Sequence, residues 1–438
     1  MGRGAARPAW IAPAAALLAV LVALFWKVVW RGEVFYERDI HLIFLGQTET
    51  FVRAVLGGSW PVWDPHPGFG QPMLANPDAQ VLYPFMWLNF LMSPATYYVL
   101  FVLSHLFFSA WGLRALARRL GLSQGGSLLA ALLWTMSGPL LSLVNVWHHF
   151  ASAAWIPWVL LAADRAVVTG RGLDTILWGA AMAAQILGGS ADMSIMTVLL
   201  AVALVARHVV RARPAAAAAP IIRSVVVAAA AGGIALALSA GLWIPTLEAA
   251  RRSARSNLPW ESRTHWSIHP AALGQVILPV PLHQLPLNER WSAALFDSRE
   301  PFLASLYLGA VASALAAAAL AGPRRSGRAV LAGAAVVATL TALGRHSVFY
   351  AAVTAVVLPL RMIRYPSKAM VLAAFAWALL AAMGYDAWRT SAPEKARRMR
   401  VAIALSTAAI AAVALSAAAA ARLAGPGVAA RFLDPGIS

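Results

Sequence analysis

The sequence contains no cysteine, and charged residues make up only 12% of it. The first absence excludes disulfide frameworks, thiolate metal sites, iron–sulfur clusters and cysteine nucleophiles. The second sets the chain apart from an ordinary soluble domain, in which roughly a quarter of residues are charged. Acidic residues are scarcer still, 17 against 35 Lys and Arg, for a formal net charge of +18. No internal repeat and no separate soluble domain can be read from it. What fills the space is apolar: 61% of the 438 residues are hydrophobic. A bilayer-crossing helix needs about 20 such residues in a row. The expectation is an all-α, polytopic transmembrane helical bundle.

Residues 9–30 form the first apolar stretch, flanked by Arg3 and Arg7, and its length and the absence of a small-residue cleavage site favour a retained helix over a signal peptide. Further spans are expected near 96–116, 126–146, 151–168, 173–188, 192–210, 221–246, 302–322, 329–344, 368–388 and 401–421, about eleven in all. The apolar pieces 81–93 and 347–360 are shorter and contain or end near Pro, as re-entrant or interfacial segments do. Charge counting orients this threading, because short cytoplasmic loops collect Lys and Arg. With the N-terminus inside, every inner connection is basic, through Arg114, Arg118, Arg119, Arg165, Arg171, Arg207, Arg324, Arg325, Arg328, Arg389 and Lys395 among others. Of the 17 acidic residues only Asp164, Asp174, Asp386 and Glu394 fall on that side. The positive charge is thus a topology signal, which removes the main support for nucleic-acid binding. A transmembrane domain over 1–421 and a short tail over 422–438 follow, with the N-terminus on the cytoplasmic side.

Three long outer segments, 31–95, 247–301 and 345–367, hold most of the Pro, Trp, His and acidic residues. In the first, Ile40, Phe44, Phe51 and Val55 recur at helical spacing, as in a helix lying along the membrane surface. Asp39 stands at its start, either as an N-cap or as a carboxylate free for chemistry. Gly and Pro after Leu56 then impose a turn-rich loop. His148 and His149 emerge at the outer end of a span, as a site pair or as an interfacial polar pair beside Trp147 and Trp155. Adjacent histidines do not share a helix face, so they make no two-His metal site.

The runs "GSWPVWDPHPGFGQPMLANPDAQVLYP", "SGPLLSLVNVWHHFASAAWIPWVLLA", "ILGGSADM" and "RMIRYPSKAMVLAAFAWALLAAMGYD" resemble, in order and spacing, the YfhO-like bacterial membrane proteins. That family is grouped with the GT-C superfamily of polytopic glycosyltransferases. The resemblance implies sugar transfer from a polyprenyl-phosphate donor to a cell-envelope glycan or lipid acceptor on the outer face of the bacterial cytoplasmic (inner) membrane. It also implies an acidic residue of the first outer loop as catalytic base: Asp39 holds the matching place, and Asp78 in "NPDAQ" is the second candidate.

Such a transfer needs a carboxylate to take the acceptor proton and cations to meet the departing phosphate. Outer basic residues run against the inside bias, so Arg251, Arg252 and Arg255, and Arg361, Arg364 and Lys368, are the candidate phosphate ligands; snorkelling or headgroup contact is the alternative for both clusters. Glu37, Trp63, Asp64, His148 and His149 are candidates for acceptor or sugar contact. Trp60, Trp260 and Trp266 are expected mostly as interfacial anchors. No dedicated ligand cluster for a divalent cation stands out, and no cofactor is expected. Two other readings stay open: a transporter or flippase of a lipid-linked sugar, and a noncatalytic membrane scaffold.

Overall fold

The structure is a computed structural model that describes residues 10–211, 219–298, 300–321 and 327–394, with 396–398, 400–401, 404–405, 408, 412, 416 and 419. Most of the eleventh expected span and the whole 422–438 tail lie outside the described residues.

Helices dominate: α1 (Ile11–Leu24), α2 (Leu45–Leu56), α3 (Pro94–Arg119), α4 (Gln124–Thr135), α5 (Trp147–Thr169), α6 (Gly172–Leu187), α7 (Ala191–Arg211), α8 (Ala219–Leu238), α9 (Ala240–Arg251), α10 (Ala310–Ala321), α11 (Arg328–Ala342) and α12 (Met370–Arg389). Among the described residues the strands form one small antiparallel hairpin, pairing Trp63–Asp64 with Gln71–Pro72. By length and composition, six helical stretches can cross a membrane: Pro94–Arg119, Gln124–Asn145, Trp147–Thr169, Ala191–Val210, Ile221–Leu238 and Pro366–Arg389. Helices α1, α6, α10 and α11 are apolar but shorter. The chain is a multi-pass membrane protein.

Packing is organised around α12, whose span is 94% buried, whereas the spans of α7 and α8 are each 22% buried and present most of their surface to the surroundings. Helix α12 packs against α10, α11 and α4, while α3, α5, α6, α7 and α8 form the adjoining half of the bundle. Its Ala-rich sequence permits such close approach. At Gly384 there is no space even for a methyl group, because the Leu315 carbonyl of α10 lies against it. At one end of the bundle, Asp386 accepts hydrogen bonds from the Ser123 backbone N–H and hydroxyl ahead of α4. Arg119 pairs with Asp164 at 2.7 Å and Arg165 with Asp174 at 3.3 Å in the same layer of helix ends. The starts of α5, α7 and α12 lie at the opposite end.

Three sequence expectations need correction. Residues 302–309 are not helical; this irregular stretch is tied to its neighbours, with Gly138 N donating to Tyr307 O at 2.8 Å and Leu308 N to Val276 O at 3.0 Å. An apolar run reads as a span, but here the backbone finds partners on other elements and needs no helix. The 221–246 span breaks at Ser239, between α8 and α9. The helix after Asp39 begins as a π-turn, Ile40–Phe44, and continues as α2. Its apolar stripe faces protein rather than a membrane surface: Ile40, Phe44 and Phe51 are fully buried, and the Phe44 ring meets Tyr98 and Trp147.

The segment between the hairpin and α3 is fixed by a buried network. Trp155 donates to the Tyr83 hydroxyl at 3.1 Å, and that hydroxyl lies 2.6 Å from His105 Nε2. His105 Nδ1 lies 2.7 Å from the Phe101 carbonyl, so Nδ1 carries the proton and Tyr83 donates to Nε2. Burial pushes the Tyr83 hydroxyl above the usual phenol range.

Candidate functional site

The three long segments meet at the end of the bundle where α5, α7 and α12 begin. One close fit is at the turn before α7. Gly189 has φ +99°, and an added Cβ would run into the Pro77 carbonyl and approach His148 Cβ to 3.1 Å. Only glycine serves here, on both conformational and steric grounds. The Gln80 amide donates to Gly188 O at 2.6 Å, and the Trp147 indole donates to Asp78 O at 2.6 Å. Asn76 caps the 3₁₀ turn Pro77–Ala79 by accepting from Asp78 N at 3.2 Å. The "NPDAQ" loop is thereby clamped against the start of α5, with Asp78 Oδ1 3.4 Å from His148 Nε2.

Beside this pair lies a buried charged cluster. Lys368, just ahead of α12, forms an ion pair with Asp192 in the first turn of α7, each side chain only 7% exposed. His149 sits between them: Nε2 is 3.5 Å from Lys368 Nζ, and Nδ1 is 2.7 Å from Ser190 Oγ and 3.4 Å from Asp192 Oδ1. The Ser190 hydroxyl donates to the same carboxylate. An ammonium donating to Nε2 leaves the proton on Nδ1, so His149 donates to Ser190 and Ser190 to Asp192. Lys368 Nζ also stands over the rings of Tyr365 at 5.4 Å and Phe302 at 5.8 Å. Lys368 therefore departs from the sequence expectation of a cation open to phosphate: it is buried, and Asp192 balances its charge.

Asp39 borders this layer. Its backbone occupies the N-cap position of the π-turn, yet its side chain makes no capping hydrogen bond, so capping does not explain the residue. Half-buried, it is close enough to His148 and Tyr98 to act on both electrostatically. The preceding Arg38 adopts a left-handed backbone, φ 55°, and donates from Nη1 to the Phe302 carbonyl at 3.3 Å.

The two arginine clusters, about a hundred residues apart in sequence, approach each other because the turn Ala254–Asn257 packs against the turn Leu358–Met362. Arg251, Arg252, Arg255 and Arg361 are exposed there. Arg252 pairs with Glu248 at 2.7 Å, and Arg361 donates from Nε to Thr354 O at 2.8 Å. Arg364 lies 4.9 Å over the Tyr365 ring, and Arg255 is near enough to Lys368 to repel it. Other candidates stand apart. Glu37 is exposed. Asp64 is buried and organises its own loop, accepting from His66 N at 3.1 Å with the His66 ring also at 3.1 Å. Trp63 covers Gly70 of the same hairpin.

Sequence reasoning did not single out Asp192, Ser190, Arg38, Phe302 or Tyr365. The available signal was Asp192 itself, a carboxylate at the very start of an apolar helix. Backbone strain marks the same region. The non-glycine residues with positive φ are Arg38, Gln80, Trp266, Asp297 and Tyr365 among the described residues. All lie in the three long segments, and such conformations persist where surroundings over-determine them.

No protein-family model matches the chain, and no curated protein matches it. Among solved structures, the fold is similar to that of the arabinofuranosyltransferase AftD from Mycobacteria, with a TM-score of 0.55 and 17% identity over 94% of this chain and 27% of that one. A mutant form of the same protein aligns with a TM-score of 0.45 and 19% identity, over 93% of this chain and 28% of that one. The chain thus spans about a quarter of the length of the structures it matches. At this identity the likeness is one of fold alone.

Proposed function

We propose that this chain is a YfhO-like membrane glycosyltransferase that transfers a sugar from a polyprenyl-phosphate donor to a cell-envelope acceptor on the outer face of the bacterial cytoplasmic membrane. The observation that carries the reading is Asp39: a half-buried carboxylate that makes no capping bond, near enough to His148 for its charge to act on that ring. In the proposed step the acceptor hydroxyl gives its proton to Asp39 as its oxygen bonds to the anomeric carbon. The anomeric carbon–phosphate oxygen bond breaks, and the polyprenyl phosphate leaves with the electron pair. Arg251, Arg255, Arg361 and Arg364 are the cations that meet the growing charge on the phosphate. Asp78, oriented by His148, accepts a hydrogen bond from the acceptor. Lys368 holds the floor of the site.

The test uses purified protein in lipid, radiolabelled polyprenyl-phosphate sugars and envelope fractions. Asp39→Asn is expected to lower transfer by about 100-fold or more, with unchanged abundance and thermal stability. Transfer at the wild-type rate in that variant overturns the base assignment. The transporter reading has the buried Asp192–Lys368 pair in its favour, since ionisable groups within membrane helices mark substrate paths. It requires labelled lipid to cross vesicles with no new glycosidic bond.

A further inference from the structure

One cavity borders the charged cluster without belonging to it. Its walls include Trp266, Phe302 and Leu303, with Ser267, Gln275 and Ser367 as polar members. At about 30 Å³, against roughly 10–15 Å³ for a single water, it has room for two or three hydroxyl-sized groups. The Ser367 hydroxyl is buried there with no hydrogen-bond partner. Most buried polar groups in proteins are satisfied; here Ser367 shares its unpartnered state with several other buried groups, such as Thr48 and Tyr97, and differs from those two in lining a cavity. The aromatic wall is preset: the Trp266 indole donates to Ser298 Oγ and Glu300 O, both at 2.9 Å, and its ring abuts Tyr365, centroids 4.5 Å apart. Phe302 is shared with the cluster, its ring centroid 5.8 Å from that of His149, and Arg38 holds its carbonyl.

We propose that this cavity receives the hydroxyl-bearing edge of the transferred sugar, a reading that rests on the glycosyltransferase function above. A sugar combines apolar C–H faces, which suit Trp266 and Phe302, with hydroxyls, which suit Ser367 and Gln275. A hydrocarbon segment would leave Ser367 unpaired, and a phosphate would meet no cation among the lining residues. Phe302 then stands between the sugar and the cluster of His149 and Lys368, each 5.8 Å from its ring centroid.

The experiment compares the full-length wild type with Ser367→Ala and with Ser367→Val, which also fills the cavity. It reads saturation transfer from protein to free arabinose, galactose, glucose and mannose, and KM for the polyprenyl-phosphate sugar. Removing an unpartnered hydroxyl is expected to leave the thermal midpoint unchanged or raised. Saturation transfer is expected to fall for at least one sugar, and donor KM to rise roughly tenfold, the loss of one hydrogen bond to a ligand. Wild-type binding and KM in both variants overturn the subsite while leaving the function intact, as does a wild type that binds none of the four sugars. Displacement of the sugar signal by sugar-free polyprenyl phosphate makes the cavity a hydrocarbon pocket and also overturns it. Sugar binding lost in Ser367→Val, in a protein that transfers nothing from any donor, leaves the subsite standing and removes the glycosyltransferase reading.

Discussion

At the scale of single residues, the Asp192–Lys368 pair exemplifies a buried interaction whose members are worth little apart. Both have lost their water, so removing one leaves the other uncompensated, at a cost of roughly 3–5 kcal/mol. Lys368→Met is therefore expected to lower the thermal midpoint of the solubilised protein sharply. Adding Asp192→Asn should recover most of the loss, because no isolated charge then remains. A double variant as unstable as the single one would show that the stranded carboxylate is not what destabilises the protein. Sequence reading could find Lys368 and His149, since polar groups in apolar surroundings stand out, but not their pairing. His149 and Lys368 are separated by 219 positions, and only the packing of α5, α7 and α12 brings them together. The same holds for Asp64: its residue type is legible in the sequence, but its hydrogen bonds within a local turn are not.

At the scale of elements, hydropathy located the helices well and their surroundings poorly. An apolar stripe has the same composition whether it faces lipid or protein, which is why the stripe of α2 was expected at a membrane surface and lies in the core. Likewise the stretch 302–309 is apolar enough for a helix, and long-range backbone partners decide against it. Glycine positions were also silent in sequence. Gly384 sets the distance between α12 and α10, so Gly384→Val is expected to separate the two helices and destabilise the bundle by a few kcal/mol, in the range of overpacked cores. The measurement is a thermal melt of the solubilised protein; an unchanged midpoint would mean that the two helices are free to shift.

For the molecule as a whole, the absence of cysteine becomes a practical advantage, because any introduced thiol is the only one. The sequence reading puts the loop around Phe69 outside and the connection at Arg171 inside. Phe69 is fully exposed and Arg171 is also exposed, so both positions are accessible to a reagent on their own side. Phe69→Cys is expected to react in intact cells with a membrane-impermeant maleimide, and Arg171→Cys only after permeabilisation. The opposite pattern would invert the orientation and move the arginine-rich turns to the cytoplasm.

Helix α12 also has implications for how the protein is made. It follows in chain order nearly all the helices that enclose it, so during synthesis it enters a slot already lined by earlier segments. Until it arrives, Asp192 has no counter-ion and His149 no ammonium beside it. The nascent bundle thus lacks the cation that faces Asp192 at the head of α7, and delivery of Lys368 completes the assembly.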